Sequence, residues 1–147
     1  MREQTLCRQQ MSQDLMKVYR EVVQEVPLGI TQTEIYEMVV AHPAPRFYID
    51  PRMAHIRLSP MMRGDYTELE KLKPLRQKMY KDLFEVVMRL SQKSRYWRKS
   101  LYYILKDAVL EPAPRFYISQ DTMRQIWKKK SIEERKARMK RYEKKHD

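Results

Sequence analysis

The sequence predicts a mainly α-helical protein made by internal duplication. It would hold two three-helix modules, each with a short extended Arg-Phe-Tyr-Ile segment, and a basic C-terminal helix. Three observations carry this. The heptapeptide Pro-Ala-Pro-Arg-Phe-Tyr-Ile occurs twice, at Pro43 to Ile49 and at Pro112 to Ile118. Apolar residues recur at helical spacing before and after each copy. The only two glycines, Gly29 and Gly64, punctuate the periodic stretches.

In the first module (1–64), Leu15, Val18, Tyr19, Val22, Val23 and Val26 share a face, predicting a helix from about Ser12 to Glu25. Pro27 and Gly29 end it. Thr31 or Thr33 caps the next helix, and Glu34 and Glu37 favour its dipole. Ile35, Val39 and Val40 form its apolar face, and Pro43 stops it near His42. Pro-Ala-Pro is extended, so Phe47 and Ile49 face one way and Arg46 and Tyr48 the other. Asp50-Pro51 is a start signal: a carboxylate cap followed by proline at the first helical position. The third helix uses Met53, Ile56 and Leu58; Ser59-Pro60 kinks or restarts it, and Gly64 ends it.

A charged, partly helical connector follows (65–77). The second module (78–130) repeats the order at an offset of 69 residues. Its first helix, about Lys78 to Leu90, faces inward with Met79, Leu83, Val86, Val87 and Leu90. Its second runs from about Ser100 to Leu110, and its third starts at Ser119 and continues through Met123, Ile126 and Trp127. Glu21-Val22-Val23 matches Glu85-Val86-Val87 at an offset of 64, which puts about five extra residues into 91–100. The basic segment (131–147) has few apolar positions: Ile132, Met139 and Tyr142. The two heptapeptides can pair as a two-stranded ribbon.

Composition removes several function classes. Two glycines leave no glycine-rich phosphate loop. Cys7 alone makes neither an intrachain disulfide nor a multi-cysteine zinc site. His42, His55 and His146 lack metal-ligand spacing, so no metal or other cofactor is expected. No nucleophile–base pair or carboxylate dyad stands out, and the expectation is a non-enzyme with no catalytic residue. No apolar run approaches the roughly 20 residues of a membrane span, so membrane association is not expected. The expected location is cytoplasmic, either nucleoid-associated or within a phage particle. The eleven methionines are expected mostly to fill the core.

Charge points to the partner. The net charge is +12 and the pI about 9.8, a balance that favours a polyanion, most often nucleic acid. Between Arg124 and Lys145 eleven basic residues face three acidic ones, two-thirds of the excess. The order of short capped helices resembles tandem helix-turn-helix DNA-binding modules, over Thr31 to Arg63 and Ser100 to Lys130. The turn between second and third helices spans about eight residues, against three or four in that motif. The resemblance implies that each third helix faces a DNA groove, with Arg52, His55, Arg57 and Arg63 polar in the first and Arg124, Gln125, Lys128 and Lys129 in the second.

Two further groups of candidates come from the residues themselves. Arg46 and Arg115 can grip phosphate; alternatively Phe and Ile plug the core while Arg caps the carbonyl end of helix two, the reading that a chain reversal in both copies favours. Arg95, Trp97, Arg98 and Lys99, with Lys93, Tyr96, Tyr102 and Tyr103 around them, interleave cations with rings as nucleic-acid contacts do. They can equally cover a seam between modules. Lys130 completes the basic candidates on the third helix. The function expected is a small DNA-binding regulator or organising factor of bacterial, phage or mobile-element type. Duplex DNA is favoured as the ligand, and RNA remains open. The alternative is a structural or adaptor protein that binds an acidic partner or a second copy of itself, or that packs in a nucleic-acid-containing assembly such as a virion.

Overall fold

Capping chemistry sets several of the helix ends. The computed structural model describes residues 3–146, which are all-α, with seven helices and no sheet among the described residues. The helices are α1 (Glu3–Glu25), α2 (Gln32–Ala41), α3 (Pro51–Met62), α4 (Thr67–Glu70), α5 (Pro74–Ser91), α6 (Leu101–Ala108) and α7 (Gln120–His146). Thr31 caps α2 by accepting the Glu34 N–H at 3.2 Å, and Ser100 caps α6 by accepting the Tyr103 N–H at 3.2 Å. Asp50 accepts the Arg52 N–H at 2.9 Å, with Pro51 opening α3. Gly64, at φ +80°, closes α3 in a Schellman arrangement: its N–H reaches Met61 C=O and that of Asp65 reaches Pro60 C=O, both at 3.0 Å.

Several expectations change. α1 begins at Glu3 rather than Ser12, and α5 at Pro74, where proline suits the first turn. α3 runs through Pro60 without restarting. Its buried stripe is Ala54, Leu58 and Met61, at i, i+4, i+7, while Met53 and Ile56 are exposed. Val23 is exposed too, one step off the Leu15–Val18–Val22 face. Among the described methionines, Met16, Met61, Met79 and Met123 are buried; Met38, Met53, Met62, Met88 and Met139 are exposed. The basic segment is not a separate helix, because α7 continues unbroken from Gln120 to His146.

The heptapeptides do not form a ribbon. They meet at one antiparallel bridge, where Ala44 and Ala113 exchange N–H···O=C bonds of 2.9 Å. The Phe47 N–H then reaches Val109 C=O at the end of α6 (2.9 Å), and the Phe116 N–H reaches Val40 C=O at the end of α2 (3.0 Å). Orphan helix carbonyls are thus satisfied by the opposite repeat. Arg46 and Arg115 are not the caps; their Nε atoms bond the adjacent Phe47 and Phe116 carbonyls at 3.1 and 3.0 Å. The chain therefore crosses over. α3 packs on α5 and α6, and α7 packs on α1 and α2. The relation is reciprocal, as across a twofold interface.

The stacked rings repeat the exchange, while the tyrosine hydroxyls stay within their own repeat. Phe47 stacks on Tyr117 with centroids 6.0 Å apart, and Phe116 on Tyr48 at 5.8 Å. Tyr48 donates to Asp14 Oδ2 at 2.5 Å, and Tyr117 to Asp82 Oδ2 at 2.6 Å. The paired aspartates register α1 on α5 at an offset of 68, one helical turn from the Glu-Val-Val match. The excess between the first and second helices shrinks accordingly from five residues to one. A slip of about four residues keeps the same helix face, so the Glu-Val-Val match and the aspartate pairing both fit one apolar stripe.

Phe47 and Phe116 are both essentially fully buried. Either change to Ala should cost about 3–5 kcal/mol. Because residues of both repeats share one core, unfolding should remain a single transition, as calorimetry would show by equal calorimetric and van't Hoff enthalpies. Two separately melting units would contradict the crossover.

Burial first, then donation to Asp14 and Asp82, raises the Tyr48 and Tyr117 phenols above their ordinary pKa. The unfolded phenols ionise near pH 10 while the folded ones stay protonated. Their contribution is full below about pH 10 and is lost as pH rises above it. Urea denaturation between about pH 8 and 11 should show stability falling at the alkaline end, with a flatter fall in the Tyr48→Phe/Tyr117→Phe double variant.

Candidate nucleic-acid interface

Apart from Arg46 and Arg115, the sequence candidates gather in three places. The first is α7. Its N-terminal half is anchored by buried Met123 and by Trp127, whose ring stacks on Tyr19 at 3.8 Å. Arg124, Lys128 and Lys129 are exposed, and Lys130 is half-buried. Asp121 pairs with Arg124 at 4.0 Å, Glu133 with Lys130 at 3.6 Å, and Glu134 with Arg20 of α1 at 2.9 Å. Two of the three acids in the basic stretch are thereby engaged. Lys128, Lys129, Arg135, Lys136, Arg138 and Lys140 make no ion pair with a described residue. Met16 and Arg20 of α1 and Lys130, Glu134 and Ala137 of α7 line a cleft between the two helices. The side chains from Arg138 to Lys145, including Met139 and Tyr142, are exposed.

The second place is α3. Arg52 and Arg63 are exposed at its two ends, and Arg57 is half-buried. The crossover carries this helix to α6, where His55 meets Tyr102 edge-to-face at 6.3 Å.

The third is the segment leading into α6. A short 3-10 turn (Ser94–Tyr96) buries Tyr96, whose hydroxyl donates to Asp107 at 2.7 Å. That bond, then burial and the Asp107 charge, raises the Tyr96 pKa. Trp97 is 68% exposed, so it does not cover a seam between modules. Arg98 lies over the indole at 4.4 Å, Lys99 over Tyr103 at 5.1 Å, Lys106 over Tyr102 at 4.9 Å and Arg95 over Tyr96 at 5.4 Å. Each contact contributes about 0.5–1 kcal/mol at an exposed site. Arg98 has φ +61°, the only positive φ outside glycine among the described residues. Holding a side chain there costs about 1–3 kcal/mol.

Arg46 is half-buried, 5.9 Å from the Tyr48 ring centroid. With Cys7, Asp50, Tyr102 and Lys106 it lines a cleft of about 510 Å³ among α1, α3 and α6. Arg115 is its half-buried counterpart. Lys106 lies outside the sequence candidates. The signal for it was available: at the offset of 69 the first repeat has Glu37 in its place. Among the described residues no cluster of His, Cys, Asp or Glu could hold a metal ion, and no helix is long and apolar enough to cross a membrane.

The sequence matches no protein-family model, and no curated protein or solved structure matches it significantly.

The exposure of α7 from Arg138 to Lys145 has a measurable consequence. Removing residues 138–147 should shift the melting temperature by less than about 2 °C, since exposed positions typically contribute within ±0.5 kcal/mol. A loss of helical signal larger than the deleted turns would show that the end of α7 supports the core.

Proposed function

We propose that the protein binds nucleic acid through α7, without catalysis, and that its fold is two duplicated modules of which only the second was given a basic extension. The carrying observation is the contrast between third helices. α3 ends after 12 residues at a glycine cap, whereas α7 continues for 27 and places most of the chain's excess charge on one rod. At about 1.5 Å per residue α7 is roughly 40 Å long. A helix of this kind fits the major groove of duplex DNA, about 12 Å wide. The exposed lysines would neutralise phosphates and release counterions, a term indifferent to sequence. Any sequence preference would come from Arg52 or Arg57 on α3, in the manner of the helix-turn-helix resemblance, and would be weaker than the electrostatic term.

One observation favours a second reading. Ile132, Met139 and Tyr142 are exposed at i, i+7 and i+10 on α7, a stripe suited to another helix. There α7 would dock an acidic partner or a second copy.

Salt separates the two. With about six phosphate contacts, duplex affinity should fall roughly a thousandfold between about 50 and 200 mM salt. Replacing Lys128, Lys129 and Lys130 with Gln should weaken binding to all sequences alike and flatten the log–log slope by up to about three units. Absence of any nucleic-acid affinity at the lower salt, with dimers in sedimentation, would favour the docking reading.

A further inference from the structure

The two repeats can be compared position by position, because the crossover fixes their register. The caps Thr31 and Ser100 coincide at the offset of 69, as do the cross-bonded carbonyls of Val40 and Val109. At that offset Leu28 falls on Trp97, Gly29 on Arg98, Ile30 on Lys99, Thr33 on Tyr102, Glu34 on Tyr103 and Glu37 on Lys106. The first repeat makes the same turn with a glycine at φ +95°. Glycine is the unstrained residue there, so the fold does not require Arg98. Nor does it require the other five, whose counterparts are aliphatic, hydroxyl or acidic. The scaffold is common to both halves, and this face is not.

We propose that this face, from Trp97 to Lys106, binds unpaired bases of single-stranded nucleic acid, a proposal that rests on the nucleic-acid reading of α7 and names a second site with a different ligand form. Trp97 and Tyr103 are the stacking platforms; Arg98, Lys99 and Lys106 hold the adjoining phosphates. Exposed rings with a cation over one face offer what a base and its phosphate need together. The first repeat presents Glu34 and Glu37 here, which would repel a phosphate. A duplex keeps its base faces stacked on each other, so these rings gain nothing from it. An acidic peptide would use the cations and leave the indole in water. Tyr102 and Lys106 continue the face into the cleft beside Arg46, whose volume of about 510 Å³ is within the range of small-ligand pockets.

The test is fluorescence anisotropy with labelled oligo(dT) and oligo(U) of about 20 nucleotides, and a duplex of equal length, at fixed low salt. Trp97→Ala should lower affinity for the single strands roughly tenfold, within the range for one stacked base, and leave duplex affinity within about twofold. Arg98→Gly should melt at the same temperature or higher and still lose single-strand affinity, which separates binding from folding. In a Trp127→Phe background Trp97 is the only indole, and its emission should be quenched by either single strand. Preference between oligo(dT) and oligo(U) tells whether DNA or RNA is the source. Single-strand binding unchanged by Trp97→Ala, or duplex binding lost in equal measure, overturns this inference alone. A wild-type protein that binds duplex but no single strand does the same. A wild-type protein that binds none of the three overturns the nucleic-acid reading as well.

Discussion

Four backbone hydrogen bonds between the repeats determine the rest of the molecule. Pro43, Pro45, Pro112 and Pro114 have no N–H and keep their neighbours extended. Ala44 and Ala113 are left to bond each other, and Phe47 and Phe116 to bond the ends of the opposite second helices. A helix whose terminal carbonyls are satisfied by the other repeat cannot leave it without exposing or orphaning polar groups. The same crossing point sends α3 onto α5 and α6 and α7 onto α1 and α2. The phenylalanine rings are buried there, and the tyrosines reach back to aspartates on the first helices. One seven-residue motif therefore does three jobs twice: it caps a helix, plugs the core and exchanges the next helix.

The elements were legible because their signals are local. Thr31, Asp50-Pro51, Gly64, Ser100 and Ser119 act within one turn of where they stand. The exchange was not legible. α3 shows the same apolar residues whichever repeat it packs on, and nothing in the heptapeptide says which carbonyl its N–H groups will meet. The α3 face departs from expectation for a related reason: of Met53, Ile56 and Leu58, Leu58 alone is buried. Met53 and Ile56 are the larger side chains, yet Ala54 is the fully buried one, since a small residue lets two helices approach closely. Of the candidate site, the cation–ring segment was visible as composition. Its geometry, with Trp97 exposed and Tyr96 buried beside it, depends on the 3-10 turn and the strained Arg98.

Duplication supplies an internal control. Positions alike in both repeats, such as Arg46 and Arg115, Tyr48 and Tyr117 or Asp14 and Asp82, have matching partners in both halves. These paired contacts belong to the scaffold that both halves share. Positions that differ while the backbone stays the same need another reason. The turn before α6 and the extension of α7 are the two largest departures, and both add positive charge.

The extension is also where stability and charge conflict. An isolated helix of its length is marginal in water, because starting the first turn is costly. Met123 and Trp127 remove that cost by packing the N-terminal half of α7, so the basic half needs only to propagate. Lys, Arg, Glu, Met and Ala propagate well, and cations near a helix C-terminus suit the macrodipole. Against this, Lys136 and Lys140, Lys140 and Lys144, and Arg141 and Lys145 stand four residues apart with like charge, each pair unfavourable by about 0.2–0.5 kcal/mol. The free helix thus holds its cations in mutual repulsion on a rod ordered from the other end. A polyanion laid along it would remove the repulsion without having to order the chain, so little of the attraction would be spent on folding.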